Sequence, residues 1–321
     1  MDFDEYAASI RDANVGYILT DASVGEWGLK YIALQTCFLQ IGSDGGGSIA
    51  DGIVRPDTIL ILFQRDLPTY PICLDGYLVG DRDFCVLGPG SRFVYSCAGP
   101  RRWLGIGLRV NRSDPGSANP SIGWITGRNF LFEASIQETA GIIDLADCVE
   151  DAYERQDDIA LHRLDQQLSQ QCWKLLSRGP RQRHTRFDPR MARKLELVYA
   201  ALEYGRTTRD TSLRVDKVCT AIGASDRSLL RACHQILGMG PKRYFMLRQL
   251  NLIRAAIKDA AAHSTNVTDL FTENGVLELG RAAGKYHRLF GELPSETRRN
   301  ATLNVHAAHR SIIKERTDGS E

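Results

Sequence analysis

The stretches "QILGMGPKRYF" (235–245) and "HRLFGELPSET" (287–297) share one layout: the end of a polar or basic helix, a glycine, two residues and a proline. A glycine just past a helical pattern, with a proline soon after it, marks a helix that stops and a chain that turns. The repetition points to one structural unit built twice, and the flanking residues decide what that unit is.

Upstream of Gly238, residues 212–240 read as helix, tight turn, helix. Leu213, Val215, Val218 and Cys219 give an apolar face, Ile222 and Gly223 make the turn, and Ser225 is placed to cap the next helix. That helix, Asp226 to Leu237, turns Leu229, Leu230, Cys233 and Ile236 or Leu237 inward and leaves Arg227, Ser228, Arg231 and His234 outward. Residues 265–293 repeat the plan, with Val267, Leu270 and Phe271, then Asn274-Gly275-Val276. A helix from Glu278 to Phe290 follows, with Leu279, Ala282, Tyr286 and Leu289 inward and Arg281, Lys285 and Arg288 outward. Between the units, Pro241 to Lys258 forms one helix carrying Tyr244, Leu247, Leu250 and Ile257. Such a spacer is about 25 Å long. It suits two helices held near the ~34 Å separation of successive major grooves on one face of DNA.

Charge agrees with this division. The net charge of +1 hides two unlike parts: residues 1–180 hold 15 Lys and Arg against 24 Asp and Glu, and residues 181–321 hold 25 against 15. The halves carry −9 and +10, the pattern of a chain in which one part meets a polyanion.

The first half has another rhythm. TILILF (58–63), FCVLG (84–88), RFVYSC (92–97) and WLGIGLRV (103–110) are short β-type runs between turn signals, which predicts an antiparallel sandwich or barrel. The glycines at 45–47 are a turn, without the helix or lysine that a phosphate loop needs. Beyond 134 the pattern becomes helical. In 144–177, Leu161, Leu164, Leu168, Cys172 and Leu175 recur in steps of three and four, with Arg163, Asp165, Gln166, Gln167 and Gln170 opposite. This apolar face either packs on the β domain or meets its copy in a dimer, and the five residues are the candidates for dimerisation.

"SRGPRQRHTRFDP" (177–189) looks like a linker. Asp188 and Pro189 then offer an N-cap and first-turn proline to a helix with Met191, Leu195, Val198 and Leu202 inward, ending at Gly205. The expected organisation is a β-rich domain with C-terminal helices over 1–178, a linker at 179–187, a double helix-turn-helix domain over 188–299 and a polar tail at 300–321. The fold class is α+β.

Several classes are excluded or disfavoured. No uncharged apolar run reaches membrane length, and the acidic N-terminus is unlike a secretory signal, so a cytoplasmic location is expected. The eight cysteines form no CxxC pair and read as buried small hydrophobes. Residues 1–161 contain no histidine, which argues against a metal-dependent or Ser-His-Asp enzyme there. No catalytic residue, metal or cofactor is expected.

With both units and their spacer in view, residues 188–299 resemble the DNA-binding domain of the AraC/XylS family of transcriptional regulators. That family's second unit typically reads GF, about ten residues, a Phe, then FGxxPSxYR; here it is "GVLELGRAAGKYHRLFGELPSETRR" (275–299). Three positions depart: Val276 stands for the aromatic after the turn glycine, Ala282 for the inward Phe, and Gln249 for the usual Arg of the linker helix. Gly280 and Gly284 each cost the second recognition helix about 1 kcal/mol of propensity. The resemblance implies a sequence-specific regulator whose N-terminal half is a cupin-like sandwich or barrel for dimerisation or effector sensing. Its partners would be double-stranded DNA and a second copy of the chain, with RNA polymerase and a small-molecule effector as further ones. The alternative is a small-molecule-binding or catalytic β domain with an appended DNA module.

Helices in the major groove read bases through exposed N-terminal residues and anchor through positive charge on phosphates. The expected base readers are Asp226, Arg227, Ser228 and Arg231 in the first unit and Glu278, Arg281 and Lys285 in the second. Lys242, Arg288, Ser295 and Arg298 are the expected phosphate contacts.

Overall fold

TILILF is apolar from Ile59 onward because its strand is covered on both faces, and the layers that cover it organise the molecule. The structure, a computed structural model, describes residues 1–11, 13–21, 25–67, 69–110, 122–177, 188–208, 213–260, 266–276 and 278–303. The chain begins with α1 (Phe3–Ser9), β1 (Ala13–Leu19), β2 (Gly28–Ala33), β3 (Cys37–Asp44) and β4 (Ser48–Val54). It continues through β5 (Thr58–Gln64), β6 (Ile72–Leu74), β7 (Tyr77–Leu78), β8 (Asp83–Leu87), β9 (Arg92–Cys97), β10 (Arg101–Arg109) and β11 (Asn129–Glu133). These strands form a five-stranded sheet, β1-β4-β9-β6-β7, and a six-stranded sheet, β11-β8-β5-β10-β3-β2. Their pairings are antiparallel.

Phe38, Leu60, Cys85 and Leu87 of the larger sheet meet Ala50, Ile72, Phe93 and Tyr95 of the smaller one in the core between them. Alternate residues of the same strands, Leu39, Ile59, Ile61, Phe63, Phe84 and Val86, face outward onto two helices, α2 (Ile136–Glu154) and α3 (Asp158–Leu176). A strand of period two with both faces buried reads as a continuous apolar run.

The apolar face of α3 lies in that outer layer. Leu168 and Cys172 are fully buried and Leu175 nearly so, while Leu161 and Leu164 are half-buried against the same cluster. The dimerisation reading of these five residues is therefore corrected: they are taken up by the chain's own sheet. Asp165, expected on the polar side, is also buried. It accepts hydrogen bonds from the Gln35 and Thr36 amides, the Thr36 hydroxyl and the Cys37 thiol, which pins α3 to the turn before β3. Of the eight cysteines, all free, six are buried, Cys73 is half-buried and Cys148 is exposed.

The helical domain comprises α4 (Pro189–Thr207), α5 (Val215–Ile222), α6 (Asp226–Leu237), α7 (Pro241–Asp259), α8 (Val267–Glu273) and α9 (Leu279–Phe290), with residues 294–303 again helical. Asp188 caps α4 through the Arg190 amide, but the helix runs past Gly205, which is buried where a Cβ would meet Phe245 at 3.4 Å. The expected linker at 179–187 and most of the tail at 300–321 lie outside the described residues.

This domain packs on the outer face of the five-stranded sheet. Ile18, Ile49 and Val94 of the sheet and Phe3 and Tyr6 of α1 share one core cluster with Val198, Ile236, Leu250 and Ile253. Polar contacts cross the same boundary. Arg206 of α4 pairs with buried Asp51 of β4. The Leu19 amide donates to Asn251 Oδ1 while Asn251 Nδ2 donates to the Leu19 carbonyl, both at 3.1 Å. Arg254 binds Asp4 at 2.8 Å and Glu292 at 2.5 Å, and Lys258 binds Asp4 at 2.6 Å and also Asp2.

Candidate nucleic-acid interface

Each repeated unit is closed by a left-handed glycine, Gly238 (φ 70°) after α6 and Gly291 (φ 72°) after α9, followed by a proline that opens the next helical segment. In this conformation a Cβ would clash with the backbone, so glycine is the fitting residue. Within the first unit, Gly223 (φ 64°) ends α5 and the Ser225 hydroxyl accepts from the Ser228 amide at 3.2 Å, setting the start of α6. Leu229, Ala232, Cys233, Ile236 and Leu237 are buried. Leu230, expected inward, is 46% exposed, because the inward arc is already filled by its neighbours.

The expected readers of α6 are all exposed. They are not equally available. Among the described residues Arg227 and Arg231 have no ion-pair partner. Ser228 is engaged with Ser225 (2.9 Å between hydroxyls). Asp226 lies against the Cys219 thiol, whose pKa is pushed up to about 11, first by burial and then by this carboxylate.

The second unit is built more loosely. The N-cap of α9, Glu278, makes no capping hydrogen bond, and a Cβ on Gly280 would meet nothing within 4 Å. Ala282, Tyr286 and Leu289 are buried as expected, with Leu279 half-buried. Glu278 and Arg281 pair with each other at 2.9 Å, their side chains 68% and 81% exposed. Gln249, at the position of the family's Arg, donates to the Asn274 carbonyl at 2.8 Å and so ties α7 to the turn of this unit.

One groove joins the two units. Gly240, Lys242 and Arg243 at the start of α7 line it with Met246, Gln249 and Lys285 of α9. The exposed face of the second recognition helix and the corner that ends the first unit thus open onto the same side. Lys242, Lys285, Arg288 and Ser295 are exposed, and Arg298 is half-buried. Arg243, also exposed, is the residue that sequence reasoning missed, though it sits beside Lys242 inside the repeated motif. Two cations in the first turn of α7, with no acidic residue and no side-chain cap, oppose the helix dipole. The same turn offers open amides and positive charge to an anion.

Comparison with known proteins bears on this region. The helix-turn-helix domain family matches residues 218–300. The XylDLEGF operon transcriptional activator of Pseudomonas putida is 34% identical over 94 residues, 29% of each chain. XylDLEGF operon transcriptional activator 2 of the same organism is 33% identical over 86 residues, 27% of this chain and 55% of that one. The activator match spans less than a third of that protein's length, and the family match begins only at residue 218. Among solved structures, the AraC-like transcriptional activator CuxR aligns over 71% of this chain and 79% of its own, with 11% identity and a TM-score of 0.36. ToxT from Vibrio cholerae aligns over 88% and 96%, with 10% identity and a TM-score of 0.30. The two helical units and the sequences that match them make residues 218–300 a helix-turn-helix domain of the AraC/XylS type.

Proposed function

We propose that the chain is a sequence-specific DNA-binding regulator of transcription whose two recognition helices, α6 and α9, enter successive major grooves. The observation that carries this reading is the shared groove, with Lys242, Arg243 and Lys285 on one side of the helical domain. In the proposed complex Arg227 and Arg231 grip guanines, each good bidentate contact being worth about 1–3 kcal/mol of discrimination. Lys242, Arg243, Arg288, Ser295 and Arg298 hold phosphates and fix the register. The second unit contributes more to holding than to reading, since Glu278 competes for Arg281 and its helix start is uncapped. A second copy of the chain would pair through a surface other than the covered face of α3.

The N-terminal half supports a sensing role. Between the sheets lies a cavity lined mainly by apolar side chains, among them Tyr17, Leu62, Phe93 and Trp103, together with Arg101 and Gln40. Gln40 is 2% exposed and its Oε1 has no hydrogen-bond partner among the described residues. A buried acceptor left unpaired is costly, so a donor group entering this space, about 50 Å³ in volume, would be held at Gln40. No metal-binding group of three or more His, Cys, Asp or Glu is present among the described residues, and no helix there is long and apolar enough to cross a membrane.

The test is a gel-shift selection from random duplexes with the full chain. Enrichment of a motif with two blocks one helical turn apart supports the reading; retention of duplexes with no enrichment contradicts it.

A further inference from the structure

The turn between β6 and β7 touches the first recognition helix. Asp75 (φ 52°) and Gly76 (φ 80°) both adopt the left-handed conformation, the form of a two-residue Asp-Gly hairpin. Behind the turn, the Asp75 amide donates to the Val94 carbonyl and the Val94 amide donates to Asp75 Oδ1, both at 2.8 Å. In front, a Cβ on Gly76 would fall 2.6 Å from Ile236 Cδ1 and 3.0 Å from the Gln235 carbonyl oxygen of α6. Tyr199 of α4 closes the third side: its hydroxyl is a donor shared between the Arg92 carbonyl at 2.8 Å and Asp75 Oδ1 at 3.2 Å. The turn thus grips α6 by close backbone contact and α4 by a hydrogen bond.

A second clasp, Leu19 with Asn251 of α7, lies elsewhere on the boundary, on β1 rather than on the hairpin. We propose that the helical domain docks on the five-stranded sheet as one body and that the Asp75–Gly76 turn is the latch of that docking, so that displacing the turn also releases the Asn251 clasp. The route inward is short. Phe93 and Tyr95 of β9 line the cavity between the sheets, and Val94 between them is the residue bonded to Asp75. A rearrangement of β9 therefore reaches α6 through one turn.

The Leu19 amide reports docking, because its hydrogen bond to Asn251 exists only across the boundary. In residue-resolved hydrogen exchange on the full chain, Gly76→Ala speeds Leu19 exchange about tenfold, the scale of a weakened local opening equilibrium. Gly90→Ala is the control. It imposes the same left-handed strain (φ 71°) at a glycine with nothing within 4 Å of its added Cβ, and it leaves Leu19 unchanged. Tyr199→Phe leaves the turn intact and moves Leu19 in the same direction as Gly76→Ala; if Gly76→Ala does not fold, Tyr199→Phe against Gly90→Ala decides. Unchanged Leu19 exchange in Tyr199→Phe and Gly76→Ala overturns the latch, as does equal acceleration by Gly90→Ala. No DNA enters the measurement, so its outcome is separate from that of the DNA-binding reading.

Discussion

Arg227 and Lys242 are both exposed cations without an ion-pair partner among the described residues, yet they are expected to fail differently when removed. Arg227→Ala should cost about 1–3 kcal/mol on a selected duplex and much less on a scrambled one, because a base edge is what it would read. Lys242→Ala should weaken both duplexes alike and reduce the slope of log affinity against log salt by about one. Titrations on the two duplexes at several salt concentrations separate these outcomes. Asp75 makes a prediction of another kind. Burial pushes its carboxyl up to about 6, although hydrogen bonds from Asn129, Val94 and Tyr199 hold it down. A carboxyl raised in the folded state favours folding most below its unfolded pKa, and that contribution is lost as pH rises through about 6. Between pH 5 and pH 7 the protein should therefore lose about 1 kcal/mol of unfolding free energy that the Asp75→Asn variant does not lose. Denaturant titrations at the two pH values measure it, and parallel losses would show that Asp75 does not titrate there. The sequence identified Arg227, Arg231 and Lys285 because helical period alone sorts exposed from buried residues. It could not identify Asp75, whose environment is assembled from β9, β11 and α4.

At the scale of elements, α6 and α9 have the same length and the same stop but not the same start. Ser225 caps α6, whereas Glu278 does not cap α9, and α9 carries Gly280 on open surface and Gly284 half-buried with room for a Cβ. Replacing both glycines by alanine should stabilise the helical domain by about 1–2 kcal/mol, since helix propensity is gained without a clash. Ser225→Ala should cost about 1 kcal/mol. Thermal unfolding of the three proteins checks both signs. Helix boundaries in this domain were legible because caps, glycines and prolines punctuate them: the reading of Asp226 to Leu237 coincides with α6. Strands with both faces covered, β5, β8, β9 and β10, stood out as apolar runs. β1 to β4 did not, since their apolar residues are mixed with glycine, serine and aspartate. Gly205 read as a stop but sits inside α4, packed against Phe245 with a helical backbone that any residue could adopt.

The whole molecule is layered: two helices, a six-stranded sheet, a five-stranded sheet and the helical domain. Sequence separated the halves by charge and pattern but gave no sign of how they meet. The boundary is an apolar cluster shared by Ile18, Ile49, Val94 and the helices, ringed by Asp51 with Arg206, Leu19 with Asn251, and Asp2 and Asp4 with Lys258 and Arg254. Burial first, against the opposing Arg206, raises the Asp51 carboxyl above its usual range, so this pair depends on its partner staying in place. The same ion pairs take up acidic residues of the first half and basic residues of the second, and the groove-facing cations Lys242, Arg243 and Lys285 remain outside them. Two-groove binding is tested most directly by a hydroxyl-radical footprint of the full chain on a duplex selected from random sequence. Two recognition helices in successive grooves should leave two protected patches on one face of the DNA, centred about 10 base pairs apart, with Arg227→Ala erasing the patch of the first unit. A single patch that survives Arg227→Ala, or protection spread evenly along the duplex, would contradict it.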